Sequence, residues 1–177
     1  AGSTTDVLAS GIDWYPTLLD LCGIEIPQKQ KVDGISLVST LRQKPTSARP
    51  LFWHYPHYGN QGGEPCSIIM EGDWKLIHYL ETGHDELYHL DKDIGEQNDL
   101  LTKHPKLAKE MRARLELWLK ETNAKFPVSD EQFDSAKRDA RWQHMKTGMK
   151  AGLENRAANY FKTNHIPSKD WWGSSNK

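Results

Sequence analysis

The sequence predicts an α+β fold: a four-stranded antiparallel sheet with one helix packed on it. Three observations predict it. Residues 51–55, 66–70, 74–80 and 86–90 are short runs rich in apolar, aromatic and β-branched side chains, the composition of strands. The second and third runs are joined by Glu71-Gly72-Asp73 and the third and fourth by a turn around Gly83, links too short for a parallel crossover. Behind Pro105, the residues Leu107, Met111, Leu115, Trp118 and Leu119 recur at helical spacing, which gives that helix one apolar stripe to lay on the sheet.

Taken in order, the chain opens on Ala1-Gly2-Ser3-Thr4-Thr5-Asp6, which reads as the middle of a longer sequence. Residues 7–12 suit a short strand or an extended entry. Asp13 is a good N-cap, Pro16 is tolerated in a first helical turn, and Tyr15, Leu18, Leu19 and Cys22 share one helical face. A helix is therefore expected over 14–22, closed by Gly23, with Cys22 as an inert core thiol. Residues 28–31 form a polar loop and Asp33-Gly34 a turn. Ser36 caps a second short helix with Leu37, Val38 and Leu41, ending before Pro45.

The sheet and its helix follow, the helix ending at Thr122-Asn123 and Phe126-Pro127 closing the unit. Between them, residues 91–101 are acidic. Asp91, Asp93, Glu96 and Asp99 look like a calcium loop at first sight. Gly95 and Thr102 stand where that loop needs oxygen ligands, so turns and caps are the better reading. Lys75 suits either a strand position facing a sulfate or carboxylate or a solvated edge, and the solvated edge lysine is the better reading. Residues 130–160 are highly charged, with a weaker apolar stripe at Phe133, Ala136, Ala140, Met145, Met149 and Leu153, read as packing. The end carries Trp171-Trp172, which suit burial against another part of the protein or stacking on a sugar.

The net charge is −1 across 177 residues, so no field favours nucleic acid or an anionic membrane. No apolar run approaches the ~18 residues of a membrane span, and no signal peptide is recognisable. Cys22 and Cys66 alone cannot form a disulfide framework.

The chemistry-bearing stretch is Trp53-His54-Tyr55-Pro56-His57-Tyr58-Gly59-Asn60-Gln61-Gly62-Gly63-Glu64-Pro65. Imidazoles, phenols and amides supply donors and acceptors for a polar ring-shaped ligand, and glycines allow close backbone approach. His54, His57, Tyr58, Asn60 and Gln61 are the candidate substrate-binding residues. The competing reading is structural: a histidine orients the loop and the tyrosines pack. His54, His57, His78, His84 and His89 do not match a defined zinc spacing.

Three stretches in this order resemble the C-terminal end of a type I sulfatase. Gly11-Ile12-Asp13-Trp14-Tyr15-Pro16-Thr17-Leu18-Leu19-Asp20-Leu21-Cys22-Gly23 resembles the family's D-x-x-P-T-L-L-x-L-x-G helix. Val32-Asp33-Gly34-Ile35-Ser36-Leu37 resembles its D-G-x-S-L turn. Gly72-Asp73-Trp74-Lys75-Leu76-Ile77, then Glu86-Leu87-Tyr88-His89-Leu90 and Asp93-Ile94-Gly95-Glu96, resembles its C-terminal subdomain. The HYPHYGNQGG loop is similar to that of polysaccharide-acting members.

The resemblance implies that residues 1–46 are the last helices of an α/β, alkaline-phosphatase-like catalytic domain. Residues 47–126 would be the C-terminal subdomain and 127–177 an extension. It also implies hydrolysis of sulfate esters of a carbohydrate, a formylglycine nucleophile, a calcium ion held by carboxylate and amide oxygens, and a periplasmic or secreted location. The expected partners are a sulfated carbohydrate and the rest of the catalytic domain. Neither Cys22 nor Cys66 lies in the C-x-P-x-R motif that yields formylglycine, so no catalytic residue or metal ligand is expected here. The chain alone should not turn over sulfate esters. The alternative is a non-catalytic binding module for sulfated sugars.

Overall fold

The structure, a computed structural model, describes residue 2, residues 4–59 and residues 63–166. Two compact units are present: residues 1–58 with 64–127, and residues 59–63 with 128–177.

The first unit holds the sheet. Strands β1 (Leu51–Tyr55), β2 (Cys66–Glu71), β3 (Trp74–Tyr79) and β4 (Asp85–His89) run in the spatial order β1-β2-β3-β4, each antiparallel to the next. The two-residue β2–β3 connection places Gly72 at φ 56°, where a side chain would be strained. The register pairs Ile69 with Leu76 and Leu76 with Leu87. Period-two alternation therefore puts these three on one face, where all are fully buried.

Helix α3 (Pro105–Glu121) covers that face. Ala108, Met111, Leu115 and Leu119 point into it at spacings of three and four, and Phe52 stacks on Trp118 with ring centroids 4.9 Å apart. Leu115 is fully buried at the centre. Leu115→Ala is expected to cost about 2–5 kcal/mol, from lost apolar transfer plus the cavity left behind. Denaturant titration checks this; a loss below ~1 kcal/mol would mean that the helix does not carry the core.

Ahead of the sheet lie α1 (Trp14–Leu21) and α2 (Val38–Leu41). Residues 7–10 form no strand, Ser10 is extended, and Gly11–Asp13 form a 3-10 turn. Asp13 makes no cap bond to α1. Its fully buried carboxylate instead accepts hydrogen bonds from the Ser10 and Ile35 amides, at 2.8 and 3.0 Å, and pairs with Arg49. Asp33-Gly34 forms no turn. Gly34 is needed for closeness, since a Cβ there would stand 2.1 Å from the Ile12 carbonyl oxygen. Ser36 sits one residue before the α2 N-cap; its hydroxyl accepts from the Val38 amide and donates to Asp20.

Two further expectations fail. Cys22 is exposed at the end of α1, where Tyr15 and Leu18 of the same face are also about half exposed and only Leu19 is partly covered. Lys75 is not at a solvated edge: β3 lies between β2 and β4, and the half-buried ammonium faces a carboxylate, the other reading, pairing with Glu96 at 2.6 Å. The acidic stretch forms turns. Asp93 accepts from the Gln97 and Asn98 amides, and Asp99 from those of Leu87 and Leu101.

In the second unit, α4 (Ser135–Gln143) passes through a π-helical turn (His144–Gly148) to α5 (Lys150–Tyr160). Asp134 caps α4 by accepting from the Lys137 amide. Phe133, Met149 and Leu153 are about half exposed and only Met145 of that stripe is partly buried, so little of the expected packing forms among the described residues. Trp171 and Trp172 lie outside them.

Candidate functional site

The candidate loop leaves the end of β1, and strand alternation sorts its side chains. Trp53 and Tyr55 point to the face away from α3, where both are exposed. His54 points the other way. One ring nitrogen, Nδ1, lies 2.8 Å from the hydroxyl of buried Ser67, and the other, Nε2, lies 2.8 Å from the Lys125 carbonyl oxygen. His57 is exposed, with its ring edge-on to Tyr55 at 5.6 Å. Tyr58 is half exposed and its hydroxyl donates to Glu81, on the β3–β4 turn. In the loop itself the Gly59 amide donates to the Gly63 oxygen at 3.3 Å, and Gly63 takes φ 99°.

The predicted residues therefore divide. His57 and Tyr58 present polar, partly accessible rings. His54 has both nitrogens engaged within the protein. Asn60 and Gln61 lie outside the described residues. Sequence reasoning missed Ser67, Glu81 and the Lys125 carbonyl. Ser67 left a signal: it alternates with Ile69 on the buried face of β2, and a buried hydroxyl needs a partner.

The hollows along α3 are weaker sites. One of about 460 Å³ is lined by Asp85, Leu101, Arg112 and Glu116, and one of about 420 Å³ by His78, Arg112, Lys120 and Phe126. Arg112 dominates both, yet it pairs with Asp85 at 2.6 Å and with Glu116 at 2.9 Å, so its charge is already compensated.

Burial governs the shifted tyrosines. It pushes the Tyr88 hydroxyl up to about 12, reinforced by a hydrogen bond to Glu86, and raises Tyr79 for the same reasons. A phenol whose folded value is raised contributes stability that is complete below its unfolded value, near 10, and lost as pH rises through the folded one. Stability is thus expected to fall between pH 10 and about 12, ahead of tyrosinate absorbance from these two rings. Ionisation of Tyr79 and Tyr88 themselves at pH 10, read as the absorbance lost in Tyr79→Phe and Tyr88→Phe, with folding unchanged would contradict it.

The four-stranded antiparallel meander with one helix laid on it is shared with the C-terminal part of sulfatases, which sets the class of this chain. The chain belongs to the family described as N-sulphoglucosamine sulphohydrolase, C-terminal, whose model matches residues 1–125. It is similar to a sulfatase of Formosa agariphila, 33% identical over 153 residues, covering 76% of this chain and 28% of that protein. It is also similar to the delta 4,5-hexuronate-2-O-sulfatase of Bacteroides thetaiotaomicron, 36% identical over 111 residues, covering 59% of this chain and 22% of that protein. Among solved structures, it resembles a protein in complex with its substrate D-glucosamine-2-N,6-O-disulfate, at 29% identity and TM-score 0.61. That match covers 75% of this chain and 28% of the other. The chain thus spans about a quarter of the length of these relatives.

The residues present do not fit the calcium ion that the family implies. Among the described residues, no three His, Cys, Asp or Glu side chains come together to hold a metal. Asp85 and Glu116 are held by the Arg112 guanidinium between them. No helix among the described residues is long and apolar enough to cross a membrane.

Proposed function

We propose that this chain is the C-terminal part of a carbohydrate sulfatase, and that its His57–Gln61 loop shapes the pocket for a sulfated sugar while other parts of the polypeptide perform the hydrolysis. The observation that carries this is the placement of His57 and Tyr58: exposed, polar and aromatic, at a strand end of a sulfatase subdomain. Two of the similar proteins support the substrate class, one named a delta 4,5-hexuronate-2-O-sulfatase and one bound to its substrate D-glucosamine-2-N,6-O-disulfate. The formylglycine nucleophile and calcium would come from residues upstream of this chain, as would the α/β domain whose last helices are α1 and α2. Trp14, Tyr15, Leu18 and Leu21 support that partner: four large apolar side chains of one short helix are each 44% exposed or more. A periplasmic or secreted location belongs to the same proposal.

The test is calorimetric titration with D-glucosamine-2-N,6-O-disulfate, using the wild type and the variants His57→Ala and Tyr58→Ala. Each substitution is expected to weaken binding about tenfold, the size of one lost polar contact to a charged ligand, with the unfolding midpoint unchanged. Binding by the wild type without hydrolysis would be equally expected of a non-catalytic sugar-binding module; that reading is separated by the sulfate-release measurement closing the Discussion. Unaltered affinity in both variants would leave the loop structural.

A further inference from the structure

His54 faces two partners of different chemistry. The Lys125 carbonyl oxygen can only accept, so the nitrogen beside it, Nε2, carries a hydrogen and donates. In the neutral ring Nδ1 is then the acceptor, and the Ser67 hydroxyl donates to it. The tautomer is thereby fixed by the partners. Ser67 is fully buried, so its hydroxyl has no solvent alternative, and the Phe126 ring packs edge-on to the imidazole at 5.4 Å.

This places the ring at a junction. His54 is on the next-to-last rung of the β1–β2 ladder, opposite Ser67, and only Tyr55 with Cys66 pairs beyond it. Lys125 lies just past α3, where Asn123 takes φ 53° and the Ala124 amide donates to the Leu119 oxygen to close the helix. One side chain thus ties β1, β2 and the segment after α3 together, three residues before His57. For the imidazole to reach a ligand it would have to surrender one of two 2.8 Å bonds, one of them to a buried group.

We propose that His54 is a positioning residue: it fixes the point from which the 56–65 loop departs, and acts on sulfated-sugar binding through His57 and Tyr58 without touching the sugar. The binding half of this rests on the function proposed above; the tether itself does not.

The test uses the full chain with His54→Ala, His54→Gln and Ser67→Ala. Glutamine can present an amide N–H toward the Lys125 carbonyl, so it restores the bond that alanine removes. Backbone amide exchange by mass spectrometry is read over residues 56–65 and 123–127, with β3 as the global reference. His54→Ala is expected to speed exchange in both segments about tenfold with β3 unchanged, and His54→Gln to recover most of that protection. Ser67→Ala, a smaller change that keeps the Lys125 bond, should loosen 56–65 less. If His54→Ala also destabilises β3, Ser67→Ala alone decides. Exchange at 56–65 unaltered in the deciding variant overturns the tether.

Titration with D-glucosamine-2-N,6-O-disulfate then separates tether from ligand. Affinity in His54→Gln within about threefold of wild type supports positioning. Protection recovered but affinity lost as fully as in His57→Ala overturns it, because the ring would then be a direct contact. No binding by the wild type would sink the proposed function, while the exchange measurements would still decide whether His54 holds the loop.

Discussion

Asp13→Ala is expected to release the segment before the sheet, at a cost of about 3–5 kcal/mol, the range for removing one partner of a buried ion pair. The carboxylate is fully buried and is shared among the Arg49 guanidinium and the amides of Ser10 and Ile35. Without it a largely buried cation loses its partner and two amides lose their acceptor. Thr17 cannot compensate, since its buried hydroxyl already donates to the Asp13 carbonyl at 2.6 Å and accepts from the Leu37 amide at 2.9 Å. Asp13→Asn keeps an acceptor oxygen but no charge, so its loss should be intermediate. Denaturant titration with limited proteolysis reads both variants. New cleavage before residue 50, with the sheet and α3 intact, is the expected pattern. An unchanged midpoint in Asp13→Ala would mean that the clasp does not form.

Gly34→Ala should be nearly as damaging for a different reason. The added Cβ would stand 2.1 Å from the Ile12 carbonyl oxygen and 2.6 Å from its carbon. Both obstacles are backbone, so no rotamer relieves the clash, and the 32–36 segment must move away from Asp13. That displaces the Ile35 amide from the Asp13 carboxylate. A loss of about 2–4 kcal/mol is expected from the overpacking and the broken bond together. Loss of protection should fall on the same residues as in Asp13→Ala, and the double variant should lose less than the sum, since both break one clasp. Full additivity would show that Gly34 and Asp13 serve separate structures.

The sheet and α3 were legible because their signals are local. The aromatic, apolar composition of residues 51–55, a two-residue turn at Gly72-Asp73 and a stripe at Leu107, Met111, Leu115 and Leu119 each follow from neighbours in sequence. The N-terminal clasp was not legible. Asp13 reads as a cap and Gly34 as a turn by local rules, but residues 22 and 36 positions away from Asp13 decide its role. Cys22 and Lys75 failed likewise: one needs to know what covers α1, the other which strands flank β3. In the candidate site, composition singled out the right kind of loop for a polar ligand. It could not separate His54 from His57, because strand facing and a carbonyl 71 residues away make the difference.

The most direct test is sulfate release from D-glucosamine-2-N,6-O-disulfate by the native enzyme that carries this chain, beside the chain alone. The expected result is release by the enzyme, none by the chain, and a KM raised about tenfold by His57→Ala or Tyr58→Ala at unchanged thermal stability. Release by the isolated chain, or an enzyme indifferent to both substitutions, would contradict a C-terminal part that binds the sugar while the chemistry is done elsewhere.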